Sequence, residues 1–317
     1  MYWYRLMEKN VKTKKKRSFR LLIQVLATAL TNGYVIGFAQ GKIYQGSLKQ
    51  VCVPGLNCYS CPGAVGSCPI GAMQAVFGNP SRNFSFYVIG TIMMFGVLLG
   101  RLICGFLCPF GLVQDLLHKI PTPKLKIPKK VDKPLRWLKY VIAALAMLLP
   151  VFLVDEFGLS APYFCKFLCP AGTLGGGLPL LLFGEGKEFL TQMLGPIFTW
   201  KAVVLAVVVI GSVLIYRPFC KYLCPLGAFY SLFNKFSFYQ LNVDKDKCTG
   251  CKACERACKM NVEVLKNINS LECIRCGDCK RACPTGAITG SYLKLKKPAT
   301  KSNETVCTSC DRCSGCK

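Results

Sequence analysis

A mainly α fold, in which a helical transmembrane domain is followed by a small cysteine-rich α+β domain, is predicted by three observations. Of the 317 residues 52% are hydrophobic, and the mean hydropathy of +0.36 is more apolar than an ordinary soluble domain. Four apolar stretches approach the roughly 20 residues that a helix needs to cross a bilayer. The 22 cysteines fall mostly in CxxC and CxxxCP groups, a spacing that suits several thiolates converging on one metal centre better than pairing into disulfides.

The four stretches are Phe19 to Phe38, Phe84 to Ile103, Trp137 to Val154 and Ile197 to Tyr216. An even number of crossings returns the chain to its starting side. Lys and Arg outnumber Asp and Glu by 41 to 15, with eight basic residues from Met1 to Arg20, nine from Arg101 to Lys139, and most of the rest after Arg217. Basic residues that flank apolar spans in this way follow the positive-inside pattern, so both ends are expected in the cytoplasm of a multi-pass cell-membrane protein. The same topology accounts for a net charge of +26 without nucleic acid as a partner; the lipid bilayer takes that place. The first span follows a basic run, as a secretory signal would, but it lacks a small-residue cleavage site and reads as a retained anchor. Leu178 to Phe183 is apolar but short, and is expected to be interfacial or re-entrant.

Within the membrane part, RLICGFLCPFGLVQDLLHK from Arg101 recurs as RPFCKYLCPLGAFYSLFNK from Arg217 at a constant offset of 116 residues. Such a repeat implies an internal duplication. The four-helix transmembrane domain is therefore read as two duplicated hairpins about an approximate two-fold axis. Each hairpin ends in a CxxxCP at the cytoplasmic side. Cys104 and Cys108, like Cys220 and Cys224, are four residues apart, one helical turn, so the thiols of a pair face one way. Pairing across the axis gives four ligands for an inner metal site.

The opposite loops carry Cys52, Cys58, Cys61 and Cys68, and then Cys165 and Cys169. CPGAVG and CPAGTLG look like versions of one element, which would make Cys61 and Cys169 equivalent. Cys58, Cys68 and Cys165 would complete an outer site. Six thiols compete for four places, and disulfides are the alternative on an oxidising face.

From Cys248 the chain reads CTGCKACERACKM, and from Cys273 it reads CIRCGDCKRACPTGAI. In a doubled Cx2Cx2Cx3C run the first three cysteines hold one 4Fe-4S cluster and the fourth crosses to the other. Cluster one would use Cys248, Cys251, Cys254 and Cys283; cluster two would use Cys273, Cys276, Cys279 and Cys258. The spacing has no counterpart among the usual zinc sites. It identifies the C-terminal α+β unit as a bacterial-type two-cluster ferredoxin domain. Pro284 follows Cys283, whereas Lys259 follows Cys258, a departure that removes no ligand. The tail cysteines Cys307, Cys310, Cys313 and Cys316 could hold one further cluster or a labile metal, zinc included, or form half of a site that a partner completes.

The domain order is then a basic N-terminus over residues 1–18, a transmembrane domain over 19–240, the ferredoxin domain over 241–292, and a linker with the cysteine-rich tail over 293–317. Besides two 4Fe-4S clusters, one to three more Fe-S clusters are expected. The single histidine, His118, excludes a bis-histidine haem, and no CxxCH, Walker A or dinucleotide fingerprint is present, so neither haem nor nucleotide is expected. No catalytic set is evident.

At CGFLCPFG, CKYLCPLG, NCYSCPGAVGSCPIGA and the doubled ferredoxin motif, the sequence resembles the membrane polyferredoxin family of NapH/NosR type over roughly residues 19 to 290. The resemblance implies four or more spans, cytoplasmic clusters and electron exchange with a soluble ferredoxin or a membrane redox subunit. It points to the cell membrane of an anaerobe-like prokaryote. The layout is also similar to that of a copper-reducing assembly factor. Three functions are thus on the table: an electron wire, a factor that reduces or assembles a transition metal for an exported enzyme, and a redox sensor.

Overall fold

The computed structural model describes residues 19–78, 85–125, 127–153, 160–184 and 195–292, together with 188 and 192. The tail cysteines Cys307, Cys310, Cys313 and Cys316 lie outside them. The described chain is mostly helical and closes with a two-stranded sheet.

Among the described residues two helices are long and apolar enough to cross a bilayer, Lys129–Phe152 (α7) and Pro196–Leu214 (α10). The stretches expected as the other two spans hold shorter, broken helices. Phe19–Thr31 (α1) stops and resumes as Val35–Gln40 (α2), and Phe86–Leu99 (α4) stops and resumes as Leu102–Phe106 (α5). The second break has a local cause: Gly100 takes φ +55°, a left-handed value that ends a helix and that glycine adopts without strain. On α7 the exposed side chains Trp137, Val141, Leu145, Leu148 and Phe152 form a stripe, and Trp200, Val203, Val207 and Ile210 form another on α10. Spacings of three and four place each set on one helical face.

Four of the Cys-Pro steps start a short helix. Pro69–Phe77 (α3), Pro109–Leu117 (α6), Pro170–Phe183 (α9) and Pro225–Phe233 (α11) all begin with proline at the first helical position, after Cys68, Cys108, Cys169 and Cys224 respectively. Proline costs no hydrogen bond there and presets the helical φ. The helix that carries the first cysteine of each pair must stop before that proline. Cys104 and Cys108 therefore do not share one helical turn as the spacing suggested: Cys104 lies in α5 and Cys108 caps α6. Cys165 likewise lies in Tyr163–Phe167 (α8) ahead of Cys169, and Cys220 in a π-turn, Phe219–Leu223, ahead of Cys224.

One apolar core runs from Cys52, Leu56 and Cys68 through Ile103, Phe110, Phe219 and Tyr230 to Met260 and Ile274. The C-terminal domain adds a smaller core around Leu241, Val264 and Ile288. Its strands Tyr239–Val243 (β1) and Ile288–Tyr292 (β2) pair antiparallel, Tyr239 opposite Tyr292. The domain is locked down by backbone capture. Asn234 Nδ2 donates to Ser270 O and Cys273 O at 2.7 and 2.8 Å, and Arg275 donates to Leu99 O and Asn234 O at 2.9 and 2.7 Å.

Candidate metal centres

Cys248, Cys251, Cys254 and Cys283 line one small cavity, with Val243, Leu265 and Ile288 in its wall. Cys258, Cys273, Cys276 and Cys279 line a second, beside Leu241, Met260 and Ile274. These are the two groups of four that the crossed assignment requires. The two runs also share a backbone: Gly250 and Lys252 in the first, Arg275 and Gly277 in the second, all have φ between +53° and +79°. Left-handed residues at these two positions curl each CxxCxxC loop so that its amides turn inward.

The thiols differ between the two groups. What burial there is pushes the Cys283 thiol up, but the Thr285 hydroxyl and the amides of Ala287, Thr285 and Ile288 outweigh it and hold the pKa below the usual value. Cys276 and Cys279 are pushed up to about 12, chiefly by burial. Only the thiolate ligates. Among the described residues no three His, Cys, Asp or Glu side chains close on a point that would hold a single metal ion. The four cysteines around each cavity are the donor set that a 4Fe-4S cluster takes.

Cys104, Cys108, Cys220 and Cys224 are all buried and lie close enough to act electrostatically on one another. Gln114 Nε2 donates to Cys220 Sγ at 3.0 Å, and the Gly227 amide faces Cys224 Sγ at 3.4 Å. Gly105, next to Cys104, is pressed against Ile274 of the second ferredoxin loop. The inner centre and the Cys258–Cys273–Cys276–Cys279 group are therefore neighbours.

Cys58, Cys68, Cys165 and Cys169 line one large cavity of about 660 Å³. Gln74 Nε2 donates to Cys165 Sγ at 3.4 Å, the counterpart of Gln114 on Cys220. Cys61 is absent from that lining, and its thiol faces Asn32 Oδ1 at 3.7 Å. Cys52 is buried in the core, where it bridges to Ser67. All eighteen described cysteines are free thiols. The inner and outer groups are close: the Leu56 amide bonds to Cys108, while Leu56 also lines the outer cavity. A side chain on Gly55 would meet Cys108 Cα at 2.9 Å.

The likeness of inner and outer sites is written in the sequence, in a pairing that the CPGAVG comparison missed. FCKFLCPAG from Phe164 matches FCKYLCPLG from Phe219, and CPIGAMQ from Cys68 matches CPFGLVQ from Cys108. The relevant partner of Cys169 is Cys224, and that of Cys68 is Cys108.

Comparison with known proteins bears on this repeat. A family model described as a 4Fe-4S binding domain matches three stretches, residues 84–128, 140–182 and 197–240, each one apolar helix followed by a CxxxCP. A second 4Fe-4S binding domain matches 241–262 and 266–289. An uncharacterized protein of Methanocaldococcus jannaschii is 32% identical over 212 residues, 65% of this chain and 78% of the relative. The chain belongs to the membrane polyferredoxin family. Another polyferredoxin, the methylamine utilization ferredoxin-type protein MauN of Paracoccus denitrificans, is 30% identical over 162 residues, 50% of this chain and 48% of MauN. The regulatory protein NosR of Pseudomonas aeruginosa is 30% identical over 183 residues, 55% of this chain and 22% of NosR. No solved structure matches the chain. The three matched stretches extend the duplication: the polyferredoxin unit occurs at Cys165 and Cys169 as well as at the two inner pairs.

Proposed function

We propose that this iron-sulfur electron-transfer protein is a wire of four 4Fe-4S clusters leading from the cytoplasmic surface into the membrane. The observation that carries the reading is the convergence of sixteen cysteines into four groups of four in sequence along one body. Cluster one would sit on Cys248, Cys251, Cys254 and Cys283, where Cys251 is exposed and a soluble ferredoxin or a redox subunit can approach. Cluster two would sit on Cys258, Cys273, Cys276 and Cys279. The inner cluster would take Cys104, Cys108, Cys220 and Cys224, and the outer one Cys58, Cys68, Cys165 and Cys169.

When bound, the clusters supply the redox chemistry, and the protein supplies proximity and electrostatics. The Gly105–Ile274 contact and the Leu56 wall hold successive groups close together. Four lipid-facing passes fit the exposed apolar side chains: two are continuous helices and two are broken, the second break at the buried Gly100. The basic N-terminus and the ferredoxin domain would lie in the cytoplasm.

The test is vectorial electron flow in proteoliposomes, from an impermeant donor at the ferredoxin face to an acceptor on the other side. Cys165→Ser should stop it while cluster one and cluster two still reduce. Unchanged flow in Cys165→Ser protein would contradict the reading.

A second reading, handling of a transition metal for an exported enzyme, is favoured by one observation. The outer cavity measures about 660 Å³, against about 20 Å³ for each ferredoxin cavity. It has room for cargo beside soft thiolates. In that case Cys165→Ser should abolish metal transfer with electron flow through the remaining clusters intact.

A further inference from the structure

We propose that two buried charge arms raise the reduction potential of the inner centre, so that electrons collect there before moving outward. The proposal rests on the reading that Cys104, Cys108, Cys220 and Cys224 hold a cluster. Arg101 and Arg217 occupy the same position in the two repeats, and both are fully buried. They cross the approximate two-fold axis. Arg101 Nη2 donates to Cys220 O at 3.1 Å, and Arg217 Nη1 donates to Cys104 O. The glycine of each CPxG makes room for the partner's arginine. A Cβ on Gly111 would stand 3.3 Å from the Arg217 guanidinium carbon, and one on Gly227 would stand 3.5 Å from Arg101 Nη2.

Each arginine shares its carboxylate with a second cation. Asp115 takes Arg217 at 2.6 Å and Arg20 at 2.5 Å; Glu272 takes Arg101 at 2.9 Å and Lys139 at 2.5 Å. Both arms thus hold two basic side chains and one carboxylate, and in the Arg217 arm, where both bases are guanidiniums, one positive charge is left over. An uncompensated buried charge is costly, and the groups that these arginines face include the thiols of Cys104 and Cys220. A cluster held by four cysteinates is an anion that gains further negative charge on reduction. Surplus positive charge at close range in a low-dielectric interior favours the reduced form. A third group, Asp132 with Arg136 and Lys221, is built on the same plan next to Cys220. The outer centre lacks the arginine pair: in the matched strings Cys61 and Pro162 stand where Arg101 and Arg217 stand, and the basic residues near its thiols are single lysines, Lys201 in the cavity lining and the buried Lys49.

The test is a redox titration of the full chain in nanodiscs, followed by electron paramagnetic resonance, with the inner signal identified as the one lost in Cys104→Ser protein. Arg217→Gln should lower its midpoint by at least a tenfold change in the one-electron equilibrium, ~59 mV. Arg217→Lys keeps the charge and should leave the midpoint near that of the wild type. If Arg217→Gln fails to fold, the edge cation gives the same sign, since Arg20→Gln should also lower the midpoint, and Asp115→Asn should raise it. Variants that retain the full iron content with an unmoved midpoint would overturn the proposal while leaving the cluster in place, as would shifts of one sign for Arg20→Gln and Asp115→Asn. Wild-type protein with only about eight irons per chain would remove the inner cluster itself, and the proposal with it.

Discussion

Gly105→Ala tests the junction on which transfer between the ferredoxin domain and the membrane part depends. The new Cβ would stand 2.5 Å from the backbone oxygen of Ile274, where ordinary contact begins near 3.4 Å, so the junction must open by roughly 0.9 Å. The Cys104 side cannot easily give way. The Gly105 carbonyl accepts from Arg20 Nε at 3.1 Å and Gln24 Nε2 at 3.0 Å, which fixes the turn. Ile274 is fully buried, and its flanking loop is held by Asn234 and Arg275. Overpacking of this kind costs about 1–3 kcal/mol, and here it falls on the docking of the domain. Stopped-flow reduction of the inner centre from the ferredoxin side, together with thermal unfolding, measures the effect. The expected variant keeps its full iron content, melts earlier and reduces its inner centre more slowly. A Gly105→Ala protein with wild-type melting and wild-type reduction rate would refute the close junction.

Other substitutions separate ligands from bystanders. Cys68→Ala should lose about four irons per chain, whereas Cys61→Ala should lose none, measured by anaerobic iron and sulfide analysis. Lys252 holds an exposed left-handed conformation at φ +55°, so Lys252→Gly should relieve about 1 kcal/mol and raise the denaturant concentration at which the ferredoxin domain bleaches. Burial pushes the Glu272 carboxyl up, but Arg101 and Lys139 outweigh it and hold the pKa below its ordinary value. Because the folded value is the lower one, this contribution is complete above the unfolded pKa of about 4.3 and is lost as pH falls through the folded value. Limited proteolysis should therefore find the domain docked near neutrality and released in acid at higher pH in Lys139→Gln than in wild type.

The ferredoxin groups were legible because their ligands are close in sequence and a fixed spacing dictates the crossed pairing. The inner group was legible through the exact repeat of Arg101, Cys104, Cys108, Pro109 and Gly111 at Arg217, Cys220, Cys224, Pro225 and Gly227. The outer group was harder to read. Its first unit has Ala64 where Cys104 stands in the inner copy, and the fourth cysteine of the cavity lining, Cys58, comes from an irregular loop, which no period reveals. The broken helices were hidden for a related reason. Hydropathy averages over a window, whereas the breaks arise at single positions such as Gly100, whose left-handed φ has no hydropathy signature. Nor does spacing show depth. The inner and outer cysteines were expected at opposite ends of about 30 Å of helix, yet Gly55 lets the outer loop descend onto Cys108.

The central claim is the number of clusters, and anaerobic iron and acid-labile sulfide per chain measure it most directly. The wire requires about sixteen of each in the described groups, and any cluster on the tail would add to that figure. About eight of each would confine the iron to the ferredoxin domain and contradict the account.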